Sequence, residues 1–380
     1  MTAKREDGGL ENPPYWRREW TKKKIMKDVM SEELTKEYIL DFTQEELAEK
    51  IAVLKEPNYR AGQIFQWIYR RRVNEFSQMS NLSKQLRTDL AEKFYIMDSK
   101  LVTKSESSDG TTKYLLEFSD NRQVEAVLIP AKEHLTACLS TQFGCPVKCA
   151  FCATGQGPFL GDMSAGQIVE EFLQLQIQAD LLKERISHIV FMGMGEPLFN
   201  YDNLIKAIRI INSDWGFNIG ARKITISTVG IPDRIRQLAK EGLQFNLALS
   251  LHVVDQKIRE ELIPIAKKYP LDKVIDAVVD YFDWTGREVT LEYLLLKDIN
   301  VSSTDAERLA KIARKVRANV NLIVYNPTSG KYQPPSQQVV TQFLKHLKDL
   351  GANAHMRASR GKDIEAACGQ LKKRNMAGLV

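Results

Sequence analysis

Cys145-Pro146-Val147-Lys148-Cys149-Ala150-Phe151-Cys152 gathers three thiols on a loop that directly follows the apolar run 137–141. Beyond it the chain alternates. Apolar, strand-like runs recur at 188–192, 223–227, 245–251, 289–295 and 320–325, separated by helical stretches near 164–183, 201–213, 231–241, 270–282, 303–316 and 336–349. Such β–α alternation predicts an α/β fold with a parallel sheet and crossover helices. Six units predict a partial (β/α)6 barrel rather than the closed eight-stranded one, although a doubly wound sheet would give the same local pattern. In both architectures chemistry gathers at the carboxyl ends of the strands, which is where the cysteine triplet falls.

Upstream, the periodicity changes. Thr43 with Glu46 three residues later forms a capping box ahead of Leu47, Ile51 and Leu54, and two further helices fit 61–72 and 83–94. This predicts a small helical accessory domain over 39–96. Its Arg70-Arg71-Arg72 cluster beside Trp67 and Tyr69 suits an RNA backbone as well as it suits a solvated helix end. Strand-like alternation at 114–118 and 124–129, interrupted by turn-forming residues, predicts an antiparallel β segment over 97–132. The remaining divisions are a basic arm at 1–38, the barrel at 133–358 and a loop-like tail at 359–380. The arm's basic-aromatic run from Trp16 to Lys24 reads equally as a nucleic-acid-touching tail and as a solubilising extension.

At 380 residues and 43% hydrophobic content the chain can bury a large core, and no run approaches the length of a membrane span. The amino terminus is polar, with no apolar signal region behind it, so a cytoplasmic, monomeric protein without membrane association is expected. The net charge of +6 leans toward an anionic partner. Of five cysteines, Cys138, Cys145, Cys149 and Cys152 lie within fifteen positions and Cys368 stands near the carboxyl end. That crowding suits metal or redox chemistry in a reducing compartment and not a secreted disulfide framework.

Structural zinc usually takes four ligands as two pairs, and no second pair exists here. Three cysteines on a four-iron cluster leave one iron open to another ligand. The spacing resembles that of the radical S-adenosylmethionine superfamily, whose 4Fe–4S cluster chelates the amino and carboxylate groups of S-adenosylmethionine and cleaves it to a 5'-deoxyadenosyl radical. Residues suited to the rest of that molecule stand at successive strand ends. Gly195 and Glu196 follow the second strand, where Glu196 could accept from the methionyl ammonium. Ser227 follows the third, Ser250, Leu251 and His252 the fourth, and Asn326, able to read an adenine edge, the sixth. Each alone is more often a turn or capping residue than a ligand; it is their succession that carries weight.

Cys138 and Cys368 remain. A cysteine on a strand is commonly an inert buried hydrophobe, whereas Cys368 among small residues and Gly369 reads as an exposed, mobile thiol. The strings 124–130, 138–142 running into the triplet, 191–197 and 363–371 resemble the RlmN/Cfr family of radical methyltransferases, which methylate adenosine in 23S ribosomal RNA. The resemblance spans about 41–371. It implies that Cys368 accepts a methyl group from one S-adenosylmethionine and that a second is cleaved at the cluster, so two are used per turnover. It further implies that the resulting methylene radical adds to the adenine ring, that Glu125 is the proton acceptor, and that Cys138 resolves the enzyme–RNA adduct as a disulfide with Cys368. An electron donor such as flavodoxin would feed the cluster.

The logic is chemically sound: adenine C2 is not nucleophilic, so polar transfer from a sulfonium cannot methylate it, whereas a carbon radical can add there. The run 195–203, with Pro197, resembles the C2-methylating branch; the C8 branch usually has Ala at that position. Gly161-Asp162, Val253-Val254-Asp255 and Ala266 depart from the usual C2-branch pattern. Some C2 enzymes also modify the adenosine 3' of the tRNA anticodon, making tRNA a second candidate partner. Two other classes fit parts of the sequence: a non-catalytic RNA-binding protein with a structural metal, and a radical enzyme acting on a small molecule or peptide.

Overall fold

A computed structural model describes residues 36–328 and 331–371; the run from Trp16 to Lys24 lies outside the described residues. Two short strands, β1 (Glu37–Tyr38) and β2 (Phe94–Tyr95), pair in parallel and bracket the accessory domain, whose helices are Gln44–Ala52, Tyr59–Arg71 and Lys84–Lys93. The expected capping box is present: Thr43 Oγ1 accepts from Glu46 N–H while the Glu46 carboxylate accepts from Thr43 N–H at 2.8 Å.

Next come β3 (Ser99–Glu106), β4 (Thr112–Phe118) and β5 (Gln123–Pro130), then β6 (Leu135–Cys138), β7 (Ile186–Phe191), β8 (Ile224–Thr228), β9 (Asn246–Ser250), β10 (Val289–Leu295), β11 (Ala318–Val324) and β12 (Ala354–Met356). These form one sheet in the order β12-β11-β10-β9-β8-β7-β6-β5-β4-β3. From β6 to β12 every neighbour is parallel, and the helices Ala165–Leu181, Tyr201–Asn212, Pro232–Ala239, Leu271–Thr285, Ser303–Lys315 and Gln337–Asp349 supply the crossovers. The sheet order is that of sequence and its ends do not pair, so the six β–α units make an open, partial barrel. The antiparallel segment is not set apart from it: β5 pairs with β6 from Val127↔Cys138 to Pro130↔Leu135, extending the barrel wall. Among the described residues no helix is long and apolar enough to cross a membrane.

The accessory domain shares the barrel's core. Phe65 stacks on Trp215 with ring centroids 5.0 Å apart, and Tyr69 packs on Phe217. The seam is polar where the helix Ala165–Leu181 begins. Asp41 accepts from Gly166 N–H at 2.6 Å, a carboxylate at a helix amino terminus. One turn on, buried Glu170 accepts from Asp98 N–H, from Ser99 N–H and hydroxyl, and from the Tyr38 hydroxyl. Gly166 is what lets the two domains approach so closely, since a Cβ there would lie 2.7 Å from Tyr38 Cε1 and 2.8 Å from Asp41 N. Gly166→Ala should therefore destabilise the protein by about 1–3 kcal/mol through overpacking. Urea denaturation followed by circular dichroism checks this; an unchanged midpoint would show that the seam is not tight.

Candidate active site

The loop leaving β6 is knitted to the loop leaving β7. Ser140 is the hub: its N–H donates to the buried Glu171 carboxylate at 2.9 Å, its hydroxyl donates to Glu125 C=O at 2.9 Å, and that same oxygen accepts from Met194 N–H at 2.9 Å. Gln142 Oε1 accepts from Glu196 N–H at 2.8 Å. Gly195, at φ +106°, has its Cβ position 2.7 Å from Gln142 Cβ, so the glycine that the sequence offered for cofactor approach also serves this packing of strand ends.

The triplet follows. Lys148 adopts φ +60° to turn the loop, Ala150 N–H donates to Leu262 C=O at 2.9 Å, and Cys152 leads into the short helix Ala153–Gln156. Cys149 is buried, while Cys145 and Cys152 are partly open. Burial pushes the Cys145 thiol up to about 12 and the Cys149 thiol well above its ordinary value, with neighbouring thiols adding to both. The thiols thus hold their protons until a metal displaces them. Among the described residues no three His, Cys, Asp or Glu side chains converge as ligands of one metal ion. A cluster asks for something different, one thiolate on each of three irons.

A cleft over the triplet is lined by Gly193, Gly195, Glu196, Ser227, Ser250 and His252. Glu196 is buried and accepts from Leu198 N–H at 3.0 Å and Val229 N–H at 2.9 Å, and burial pushes its carboxyl up to about 7. The Ser227 and Ser250 hydroxyls lie 3.1 Å apart. His252 Nδ1 accepts from Leu294 N–H at 3.2 Å, and burial, aided by nearby Arg259, holds the ring neutral by lowering it to about 3. Its proton is then on Nε2. Asn326 Oδ1 is buried without a hydrogen-bond partner, an acceptor suited to an exocyclic amine. Leu251 is different from its neighbours: its side chain is wholly in the core, and its N–H is engaged by Leu249 and Glu292 carbonyls. The donor set therefore fits a 4Fe–4S cluster at the thiols with S-adenosylmethionine along the strand ends.

Cys368 reaches this cleft from the far end of the chain. Ala153 N–H donates to Gly369 C=O at 2.7 Å, Thr154 Oγ1 donates to Leu371 C=O at 2.5 Å, and Gln370 Nε2 donates to Pro327 C=O at 3.1 Å. The β3–β4 turn grips the other end of the same loop, with Ser107 Oγ donating to Asp363 at 2.5 Å and Gly361 N–H donating to Asp109 at 3.0 Å. Cys368 is exposed, whereas Cys138 is buried. Burial, and after it the charge of the nearby Cys368, push the Cys138 thiol up to about 12, while Arg357 opposes that rise. Arg357 itself pairs with Glu292 at 3.3 Å and lines the cleft with Cys368. Glu125 lies on β5 and pairs with Lys113 at 3.1 Å.

Sequence reading passed over Lys113, Arg259, Glu292 and Arg357. Buried charge in an apolar strand was the available signal, as with Lys113 among Tyr114-Leu115-Leu116. Arg259 is wholly buried, donates to Val229 C=O at 2.7 Å and sits near Cys149, a cation beside the thiol triplet. Two of the unusual positions have structural duties: Asp255 caps the helix Gln256–Leu262 and binds Arg308 at 3.0 Å, and Asp162 accepts from Gln142 at 2.6 Å.

Comparison with known proteins agrees with this geometry. Residues 38–96 match the ribosomal RNA large subunit methyltransferase N-terminal domain, and residues 139–310 match the radical SAM superfamily. The chain is 47% identical over 335 residues to a probable dual-specificity RNA methyltransferase RlmN of Thermotoga maritima, covering 88% of this chain and 97% of that one. It is 41% identical over 349 residues to the corresponding Enterococcus faecalis protein, covering 90% and 98%. The crystal structure of a radical SAM methyltransferase from Sphaerobacter thermophilus superposes with a TM-score of 0.86 at 39% identity, over 88% of this chain and 99% of that one. The cofactors are accordingly those of the superfamily, one 4Fe–4S cluster and S-adenosylmethionine. With an accessory domain, a partial barrel and a thiol triplet all matched along one collinear chain, the protein belongs to the RlmN family of radical S-adenosylmethionine enzymes.

Proposed function

We propose that this enzyme methylates C2 of an adenosine in the peptidyl transferase centre of 23S ribosomal RNA, through an S-methyl group carried on Cys368. The observation that carries the reading is the tie between the loop of Cys368 and the loop of the triplet, Ala153 N–H to Gly369 C=O at 2.7 Å. Such a tie brings an exposed thiol, remote in sequence, to the mouth of the cofactor cleft. The dual specificity in the relatives' names supports a second RNA substrate, for which we take the adenosine 3' of the tRNA anticodon. The accessory domain, the basic net charge and the cytoplasmic setting of such RNAs agree with that role.

In this reading Cys145, Cys149 and Cys152 hold the cluster, and Gly195, Glu196, Ser227, Ser250, His252 and Asn326 hold S-adenosylmethionine, with Leu251 contributing backbone only. When bound, these cofactors supply the electron, the methyl group and the hydrogen-abstracting chemistry that the side chains lack. Cys368 takes the methyl group as its thioether and, once activated, carries the one-carbon unit onto the ring as a covalent enzyme–RNA link. Glu125 accepts the ring proton. Cys138, as the thiolate, attacks the Cys368 sulfur, forming a disulfide as the S–C bond breaks; the expelled carbon takes up a proton to become the methyl group of the freed base, and external reductant reopens the disulfide. Flavodoxin is the proposed electron donor to the cluster.

The test is product identity. Incubated anaerobically with an unmodified 23S fragment, reductant and S-adenosylmethionine, the enzyme should give 2-methyladenosine on digestion and mass spectrometry; 8-methyladenosine would overturn the C2 assignment. Cys368→Ala should leave the RNA unmethylated, and Cys138→Ala should leave RNA covalently attached to protein on a denaturing gel.

Glu196 adds a pH dependence. Raised to about 7, it is neutral below that value and cannot pair with the methionyl ammonium. The affinity for S-adenosylmethionine should therefore fall by up to about tenfold per unit as pH drops below that point and level off above it. Calorimetry on the cluster-loaded protein checks this, and Glu196→Gln should flatten the profile.

A further inference from the structure

We propose that Lys113 is a positioning residue for the proton-transfer step: it holds Glu125 in its acceptor orientation and couples that orientation to the docked position of the Cys368 loop. The inference rests on the Glu125 reading given above.

Lys113 stands near the start of β4, and its side chain is only 6% exposed while that of Glu125 is 4% exposed. The β4–β5 register sets Lys113 opposite Val127 and Leu115 opposite Glu125, so the two charges are diagonal neighbours on one face. The ammonium lies 3.1 Å from Glu125 Oε1 and donates to Glu365 C=O at 3.0 Å. One buried cation therefore spans the proton acceptor and the tail, three residues ahead of Cys368.

Burying an ammonium costs several kcal/mol of desolvation, and a hydrophobic residue of similar size would often serve stability as well or better. Between Lys113 and Glu117 the strand runs through the buried apolar side chains of Tyr114, Leu115 and Leu116, and packing there does not require an ammonium. Function supplies the need. An adjacent cation favours the carboxylate over the acid, which a proton acceptor requires before it acts. The second bond makes this arrangement conditional: while the tail is docked, Glu365 C=O fixes one ammonium hydrogen and so fixes the angle from which Glu125 is held. When the tail leaves, Lys113 loses that anchor and its hold on Glu125 loosens. The proton acceptor would thus be set when the carbon carrier is at the ring, and slack otherwise.

The test compares Lys113→Met, Lys113→Arg and Glu125→Gln in the full-length, cluster-loaded enzyme. Lys113→Met should still accumulate S-methylated Cys368, read by mass spectrometry at long times, but release the RNA adduct roughly tenfold more slowly, a smaller loss than the about 10²–10⁴-fold expected for loss of a general base. The acid limb of its adduct-release profile should move upward by about one pH unit, since a stabilising cation is gone. Lys113→Arg should restore both in large part. Independently of turnover, hydrogen exchange over 361–371 should quicken in Lys113→Met and remain slow in Lys113→Arg. Should Glu125→Gln release its adduct normally, the proton-acceptor reading fails and this inference with it. Should Glu125→Gln trap adduct while Lys113→Met shows native release, an unmoved profile and unchanged exchange, the Lys113 inference alone is overturned.

Discussion

The cleft depends on a backbone hydrogen bond between Ala153 N–H and Gly369 C=O, 2.7 Å long, which fastens the end of the chain to the loop of the three cysteines. Without the contacts of which this is one, Cys368 would be a stray thiol on a tail. With them, one end of the molecule completes a site begun more than two hundred residues earlier. A single bond of this kind contributes only about 1 kcal/mol net. The tail is instead held at both ends, by Ala153 and Thr154 near Cys368 and by Ser107, Asp109 and Lys113 before it. These contacts are individually modest and jointly sufficient to dock the segment.

The rest of the structure arranges an anchor for that contact. The parallel strands deliver their ends to one rim, and Ser140, engaged by Glu125, Glu171 and Met194, stiffens the junction from which the cysteine loop departs. The antiparallel strands extend the barrel wall so that the β3–β4 turn reaches the tail. They also place Glu125 two residues before Val127, the residue that pairs with Cys138 across β5 and β6. Electrostatics follow from burial. Burial raises the Cys138, Cys145 and Glu196 groups and holds His252 neutral, and Arg259 and Arg357 bring positive charge near Cys149 and Cys138.

Much of this was legible in the sequence because apolar periodicity and capping are local. The six β–α units and the Thr43 capping box fall where the patterns put them, and Gly195, Glu196, Ser227, Ser250 and His252 line one cleft. What escaped was non-local. β3, reading Ser99-Lys100-Leu101-Val102-Thr103-Lys104-Ser105-Glu106, falls inside the expected antiparallel segment 97–132, but it is largely exposed and its own bounds carry no half-buried alternation. β12 has three residues, too few for any period. Lys113, Arg259 and Arg357 look like surface charges in composition, and only their partners in the fold explain them. Leu251 was drawn toward the cofactor by its position between Ser250 and His252, yet its side chain turns into the core, as alternation along an extended segment dictates.

The central claim is that the transferred carbon passes through Cys368 and not directly from the sulfonium. The most direct measurement uses S-adenosylmethionine bearing a trideuterated methyl group, with product adenosine analysed by mass spectrometry after a single turnover. Passage through an S-methyl group that loses one hydrogen atom before bonding to the ring predicts a product methyl that retains two deuterium atoms. A product methyl retaining all three would contradict the account.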